Sequence, residues 1–216
     1  MIKSDLYSEL SEIAVKSSYK QIFDLLYLLS QFRYATFKQL HQINHRVATK
    51  KFLVKLCELG YLDTTKNLQA YKTNQKTWEV LEKEGYNTKI IQTNLTGETL
   101  EHELKITNVL LKLQTEPDFY KVIYPNFTTL IPDFCVIWKR ENSYKIEFGE
   151  VEEPKFDWEQ YIQDKEAKYK KLSGNIEVYS KWWKHWSGML ELPYCKQEDF
   201  CFFYRIIKNE KLERLL

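Results

Sequence analysis

No proline interrupts this chain before Pro117, and all five prolines lie at or beyond that position. Proline removes a backbone donor and clashes with the preceding turn, so its absence leaves the first half free to be mostly helical with tight turns. The apolar spacing marks those helices one by one. Across residues 19–32, Ile22, Leu25, Leu26, Leu28 and Leu29 form a broad apolar face. Thr36 followed by Gln39 is a capping-box signal that opens a short helix carrying Phe37 and Leu40. Asn44 is placed to cap a third helix running to about Leu59. That helix turns Val47, Leu53, Leu56 and Leu59 inward, and Gly60 stops it in a left-handed cap. Residues 61–64 and 69–73 alternate like the two strands of a hairpin, joined by a polar Lys66-Asn67 turn. A further helix over residues 78–84 ends at Gly85.

Three helices, the second short and the third longer, closed by a hairpin, predict a winged helix-turn-helix whose third helix reads DNA. On that helix Arg46 and Lys50 are four apart, as are Lys51 and Lys55, so cations line the side opposite the leucines. Lys66 and Lys72 add cations at the wing, where phosphate contact calls for them. The alternative is an ordinary solvated face. Charge divides the same way along the chain: residues 1–90 hold 14 Lys/Arg against 9 Asp/Glu, and residues 91–216 hold 18 against 21. A net +5 suits a polyanion partner, which for a winged helix is double-stranded DNA, and a net −3 suits metal ligands.

With 216 residues, 44% of them hydrophobic, the chain is long enough for two small domains, each with its own core. Residues 87–99 are polar, carry Gly97 and lack periodicity. They place a linker at 91–98, between a first domain at 1–90 and a second at 99–216. The first twenty residues lack a signal-peptide core, and no stretch approaches the roughly 18 apolar residues of a membrane helix, so a cytoplasmic protein without a membrane partner is expected. Cys57, Cys135, Cys195 and Cys201 show neither a CxxC pair nor a zinc spacing with His, and read as reduced core residues.

The second domain opens with a helix over residues 99–113, on which Ile106, Val109 and Leu113 form one stripe. His102 shares that stripe, either as a core residue or as part of an active site. Strand-like segments follow at 120–124, 131–138 and 143–152, the last two joined by Arg140-Glu141-Asn142. Pro132-Asp133 starts one of these strands, while Glu150 and Glu152 project together from the next, with Glu147 on the other face. Crowded carboxylates cost stability unless a cation neutralises them, so the pattern points to a site for a hard divalent ion. Asp133 and Glu150 would hold Mg²⁺ or Mn²⁺ to activate water against a phosphodiester. A lysine two residues after the glutamate would balance the transition-state charge, but Glu152 stands there. Lys165 and Lys168, on a helix over residues 158–172 that also carries Tyr169, are the substitutes able to reach back.

The order PD…ExE, preceded by a helix with His and followed by a K-x-x-x-Y helix, resembles the PD-(D/E)xK nuclease superfamily. More closely, the helical start, EHELKITNVLLKL, IPDF, GEVEE and KEAKY resemble the replication-relaxation family of mobile-element proteins, over most of residues 19–172. The resemblance implies an α+β chain: a winged helix followed by a restriction-endonuclease-like αβββαβ domain with a mixed central sheet. It also implies a DNA-binding accessory protein of plasmid, phage or conjugative-element replication and mobilisation, with replication or mobilisation proteins as partners; a homodimer is compatible with it. It selects His102, Asp133, Glu150, Glu152, Lys165 and Tyr169 as site residues. The chain departs from the pattern at Glu152, where ExK has its lysine, and at Glu153-Pro154. An active nuclease and a non-catalytic regulator or inhibitor on a degenerate nuclease fold therefore both stay open. In the tail, Tyr179, Trp182, Trp183 and Trp186 alternate with Lys181, Lys184 and His185, as base-stacking groups or as core. Residues 200–207 read as a last strand and 208–216 as a short helix.

Overall fold

A computed structural model describes residues 19–65, 70–88, 99–124, 131–141, 144–152 and 156–173, the isolated residues 184 and 188, and the backbone of 201–208. Lys66, the linker at 91–98, Glu153-Pro154, the tail aromatics and residues 209–216 lie outside these. The described residues form a mixed α and β chain that divides into two compact units, Met1–Leu111 and Lys112–Leu216. None of their helices is long and apolar enough to cross a membrane.

In the first unit, helix α1 spans Tyr19–Phe32 and buries Ile22, Leu25, Leu26 and Leu29, the face that the leucine spacing predicts. Helix α2, Phe37–Ile43, opens on the predicted capping box: the Thr36 hydroxyl accepts from the Gln39 backbone N–H at 3.2 Å, and the Gln39 side chain accepts from the Thr36 N–H at 2.7 Å. Helix α3 is Lys50–Glu58, shorter than expected, because Thr49 and not Asn44 caps it. Asn44 instead closes α2, and its side chain accepts from the backbone N–H groups of Arg46 and Val47 at 3.1 and 3.2 Å, holding a turn. Arg46 therefore lies in that turn, off the helix, and its predicted i,i+4 relation to Lys50 is lost. Gly60, at φ 74°, takes the left-handed conformation that a Cβ would strain, and α3 ends there. Strands β1 (Leu62–Thr64) and β2 (Tyr71–Thr73) then pair antiparallel, and Ala35 bridges to Tyr71. Helix α4, Gln75–Lys83, is capped by Asn74.

Helix α5, Leu100–Leu113, buries the predicted stripe Ile106, Val109 and Leu113. Up to Leu111 it groups with the first unit, so the division falls beyond the linker expected at 91–98. Polar contacts buried in that unit account for this. Thr107 donates to the Tyr34 carbonyl at 2.5 Å, and Gln39 donates to the Leu104 carbonyl and to Asn108 at 2.9 and 2.7 Å. Arg33 meets Glu103 at 3.2 Å, with only 5% and 1% of their side chains exposed.

The second unit is built on a four-stranded sheet of order β3-β4-β5-β6, comprising Phe119–Ile123, Phe134–Lys139, Tyr144–Glu152 and Cys201–Lys208. The first three strands run antiparallel, and β6 joins β5 in parallel after a crossover that contains helix α6, Trp158–Ser173. Strands β4 and β5 are the paired hairpin predicted from the polar turn. Their register sets Phe134 opposite Gly149, and a Cβ on Gly149 would lie 2.0 Å from the Phe134 ring. That ring is buried and cannot swing away, so Gly149→Ala is expected to destabilise by about 1–3 kcal/mol through overpacking. Urea unfolding measures this, and an unchanged midpoint would contradict it.

Candidate functional site

The β4–β5 register brings the acids together. Phe134 pairs with Gly149, so Asp133, one residue before β4, is level with Glu150. Asp133 Oδ2 accepts the backbone N–H of Val151 at 2.6 Å, which ties this loop carboxylate to the neighbouring strand. Glu150 and Glu152 share one face of β5, as alternation requires. Helix α6 lays a stripe of i,i+4 side chains over that face: Tyr161, Lys165 and Tyr169. Lys165 Nζ stands 3.0 Å from Glu150 Oε2 and 3.1 Å from Glu152 Oε1. Tyr169 donates to Glu150 Oε1 at 2.6 Å, Tyr161 donates to Glu152, and the Phe148 ring stacks on Tyr169. Glu147 faces away, as its parity predicts, and pairs with Lys145 at 3.7 Å.

Burial sets the electrostatics. Glu150 is 2% exposed, and desolvation with the nearby Asp133 charge pushes its carboxyl up to about 7 against the opposing pull of Lys165 and Tyr169. Burial works to lower the Lys165 ammonium, but the carboxylates of Glu150 and Glu152 outweigh it and the group is held above its ordinary value. Tyr169 is raised by burial and by the Glu150 charge, so its hydroxyl stays a donor.

Of the residues picked from sequence, Asp133, Glu150, Glu152, Lys165 and Tyr169 are thus gathered in the second unit. Lys168, also offered as the reaching lysine, is exposed to solvent. His102 stands half-buried on α5, in the first unit, its backbone N–H donating to Thr99 Oγ1 at 3.3 Å. Tyr161 was missed, though its place one turn before Lys165 was a usable signal. Among the described residues no group of three or more His, Cys, Asp or Glu is placed to hold a metal ion. A two-carboxylate set is nevertheless what Mg²⁺ uses when water and phosphate complete its shell. Asp133 and Glu150, close enough for one charge to raise the other's proton affinity, fit it.

The first unit carries the basic residues. Arg46, Lys50 and Lys51 are exposed, and Lys50 Nζ lies 5.5 Å over the Phe37 ring. Lys55 is half-buried and pairs with Glu58 at 3.5 Å. Lys72, on β2, lies 3.9 Å from Asp63 and 6.0 Å over the Tyr34 ring.

Set beside known proteins, the chain matches no family, no curated sequence and no solved structure.

Proposed function

We propose that the chain is a DNA-binding protein whose first unit docks on duplex DNA as a winged helix and whose second unit hydrolyses a phosphodiester with Mg²⁺ or Mn²⁺. The setting proposed for it is that of a replication or mobilisation accessory of a plasmid, phage or conjugative element. The observation that carries this reading is Lys165, seated between Glu150 and Glu152 with Asp133 level on the adjacent strand. The cation that Glu152 displaces from the usual triplet is supplied from α6 instead.

Asp133 and Glu150 would hold the divalent ion, which when bound supplies Lewis acidity and an activated water. Lys165, held protonated, offers fixed positive charge where phosphate oxygens gain charge, and cannot serve as the base. Glu152 and Tyr161 fix the position of Lys165, and Tyr169 orients Glu150. Docking draws support from the helix end at which the lysines stand. Lys50 and Lys51 occupy the first turn of α3, where the helix dipole repels cations unless an anion is present.

Supercoiled and single-stranded DNA incubated with Mg²⁺ or Mn²⁺ should be cut by this chain and left intact by Asp133→Ala. No cleavage under any of these conditions removes the hydrolytic claim. A metal ligand must shed its proton, and Glu150 titrates near 7, so divalent-ion affinity is expected to weaken about tenfold per pH unit below that value and to level off above it. Calorimetric titration across this range tests the point, and a flat profile would exclude Glu150 as ligand.

One observation favours a second reading. Both Glu150 oxygens already have partners, Tyr169 and Lys165, as in a structural ion network. On that reading the second unit is a binding platform of a regulator or inhibitor. Salt then decides the partner: affinity for DNA that falls steeply with salt reports phosphate contacts, and indifference to DNA reports a protein partner.

A further inference from the structure

Among the described residues of the second unit, two large apolar side chains stand in solvent, and both belong to segments that lead into the carboxylate cluster. Ile131, 52% exposed, is two residues before Asp133, and Phe156, 109% exposed, is four residues after Glu152. A phenylalanine held wholly in water forgoes the burial that its ring would gain in a core. Behind Phe156 the first turn of α6 carries Trp158 and Tyr161, both half-buried, with ring centroids 6.1 Å apart and planes 33° apart. This pair is anchored: Tyr161 donates its hydroxyl to Glu152, and the Lys165 ammonium lies 5.7 Å from its ring. The Trp158–Tyr161 pair therefore ends on a carboxylate of the cluster, and Lys168 adds an exposed cation on the same helix.

We infer that this rim stacks an unpaired base of a DNA strand whose neighbouring phosphate lies at the carboxylate cluster, so that the substrate is single-stranded, flapped or frayed DNA. The inference rests on the phosphodiester reading above. A flat apolar face, a cation and the cluster read above as the phosphodiester site, spread between Glu150 and Lys168, match the parts of one nucleotide. A paired base in intact duplex is covered by its neighbours on both faces and offers a ring only its edge. A base freed from the stack presents its whole face, and that contact is indifferent to sequence.

The test uses the whole chain with Ca²⁺ in place of Mg²⁺ or Mn²⁺, so that the carboxylate cluster carries a divalent ion for the neighbouring phosphate, and a denaturing gel checks that no strand is cut. A fluorescent oligothymidylate of about 12 nucleotides, alone or annealed to its complement, is titrated by anisotropy. Phe156→Ala and Phe156→Leu are expected to weaken single-strand binding about tenfold while leaving duplex binding unchanged, and Phe156→Trp to restore it. Because Phe156 is outside the core, circular dichroism should be the same for all four proteins. The inference is overturned if Phe156→Ala binds the single strand as tightly as the parent. It is overturned equally if duplex binding falls in parallel, if the parent does not bind the single strand, or if Phe156→Leu keeps full affinity. The last result would mark a general apolar contact such as a protein partner makes. The two claims separate cleanly: a single-strand defect without metal-dependent cleavage sinks only hydrolysis, and cleavage with a silent Phe156→Ala sinks only stacking.

Discussion

Lys165→Met should cost about 3–5 kcal/mol of stability at a pH of about 8, because it leaves two carboxylates facing each other without their shared cation. The lysine is 17% exposed, so solvent screens the pair only weakly. The loss should shrink as pH falls, and the sign follows from Glu150. Its carboxyl is raised from 4.5 to about 7 in the folded chain, so the folded state favours the protonated form. The stability this group contributes is complete below the unfolded value and drains away as pH rises through 7. Lys165 limits that drain, so its removal is felt most where Glu150 is ionised. Urea unfolding at both ends of this window measures the difference, and adding Glu150→Gln to Lys165→Met should recover much of the loss at high pH. An equal cost at both pH values would mean that the lysine only packs.

Glu103→Ala should be comparably damaging in the first unit. The carboxylate is buried against Arg33 at 3.2 Å, and breaking a buried ion pair by removing one member costs about 3–5 kcal/mol. Arg33 also sits at φ 65°, in the left-handed region that non-glycine residues rarely adopt, so the chain accepts backbone strain at this junction between α1 and Ala35. Replacing both members, Arg33→Met with Glu103→Leu, should restore most of the stability, since an apolar pair needs no solvation. Thermal unfolding of the two single variants and the double variant checks this. A double variant as weak as Glu103→Ala would show that the charges themselves are required.

The sequence was most informative where one local force acts alone. The leucine spacing of α1 and the Thr36–Gln39 box need only the helix itself, and both stand where predicted. So do the pairing of β4 with β5 as a hairpin and the parity that joins Glu150 to Glu152; the register that levels Asp133 with Glu150 is seen only in the structure. Local signals misled where two caps competed. Asn44 and Thr49 are both good N-caps, and the choice was made by burial of Val47 and Ala48 in the intervening turn, which spacing does not reveal. Arg46 left the helix as a consequence. The helix at 99–113 was legible as amphipathic, but an apolar stripe does not name its partner, and Gln39, Arg33 and Thr107 tie it to the first unit. Lys165 and Lys168 were equal candidates because both lie on one side of α6; only the helix phase against β5 separates them. Tyr161 escaped notice since a tyrosine in a first helical turn reads as ordinary packing.

The acids of the cluster ride on one element and their counter-ion on another. A helix turns by about 100° per residue, so inserting a single residue between Tyr161 and Lys165 would swing Lys165 and Tyr169 away from the side that Tyr161 keeps, with every one of those side chains still present. Spacing along the helix, more than identity of residue, is thus what keeps this cluster electrically closed.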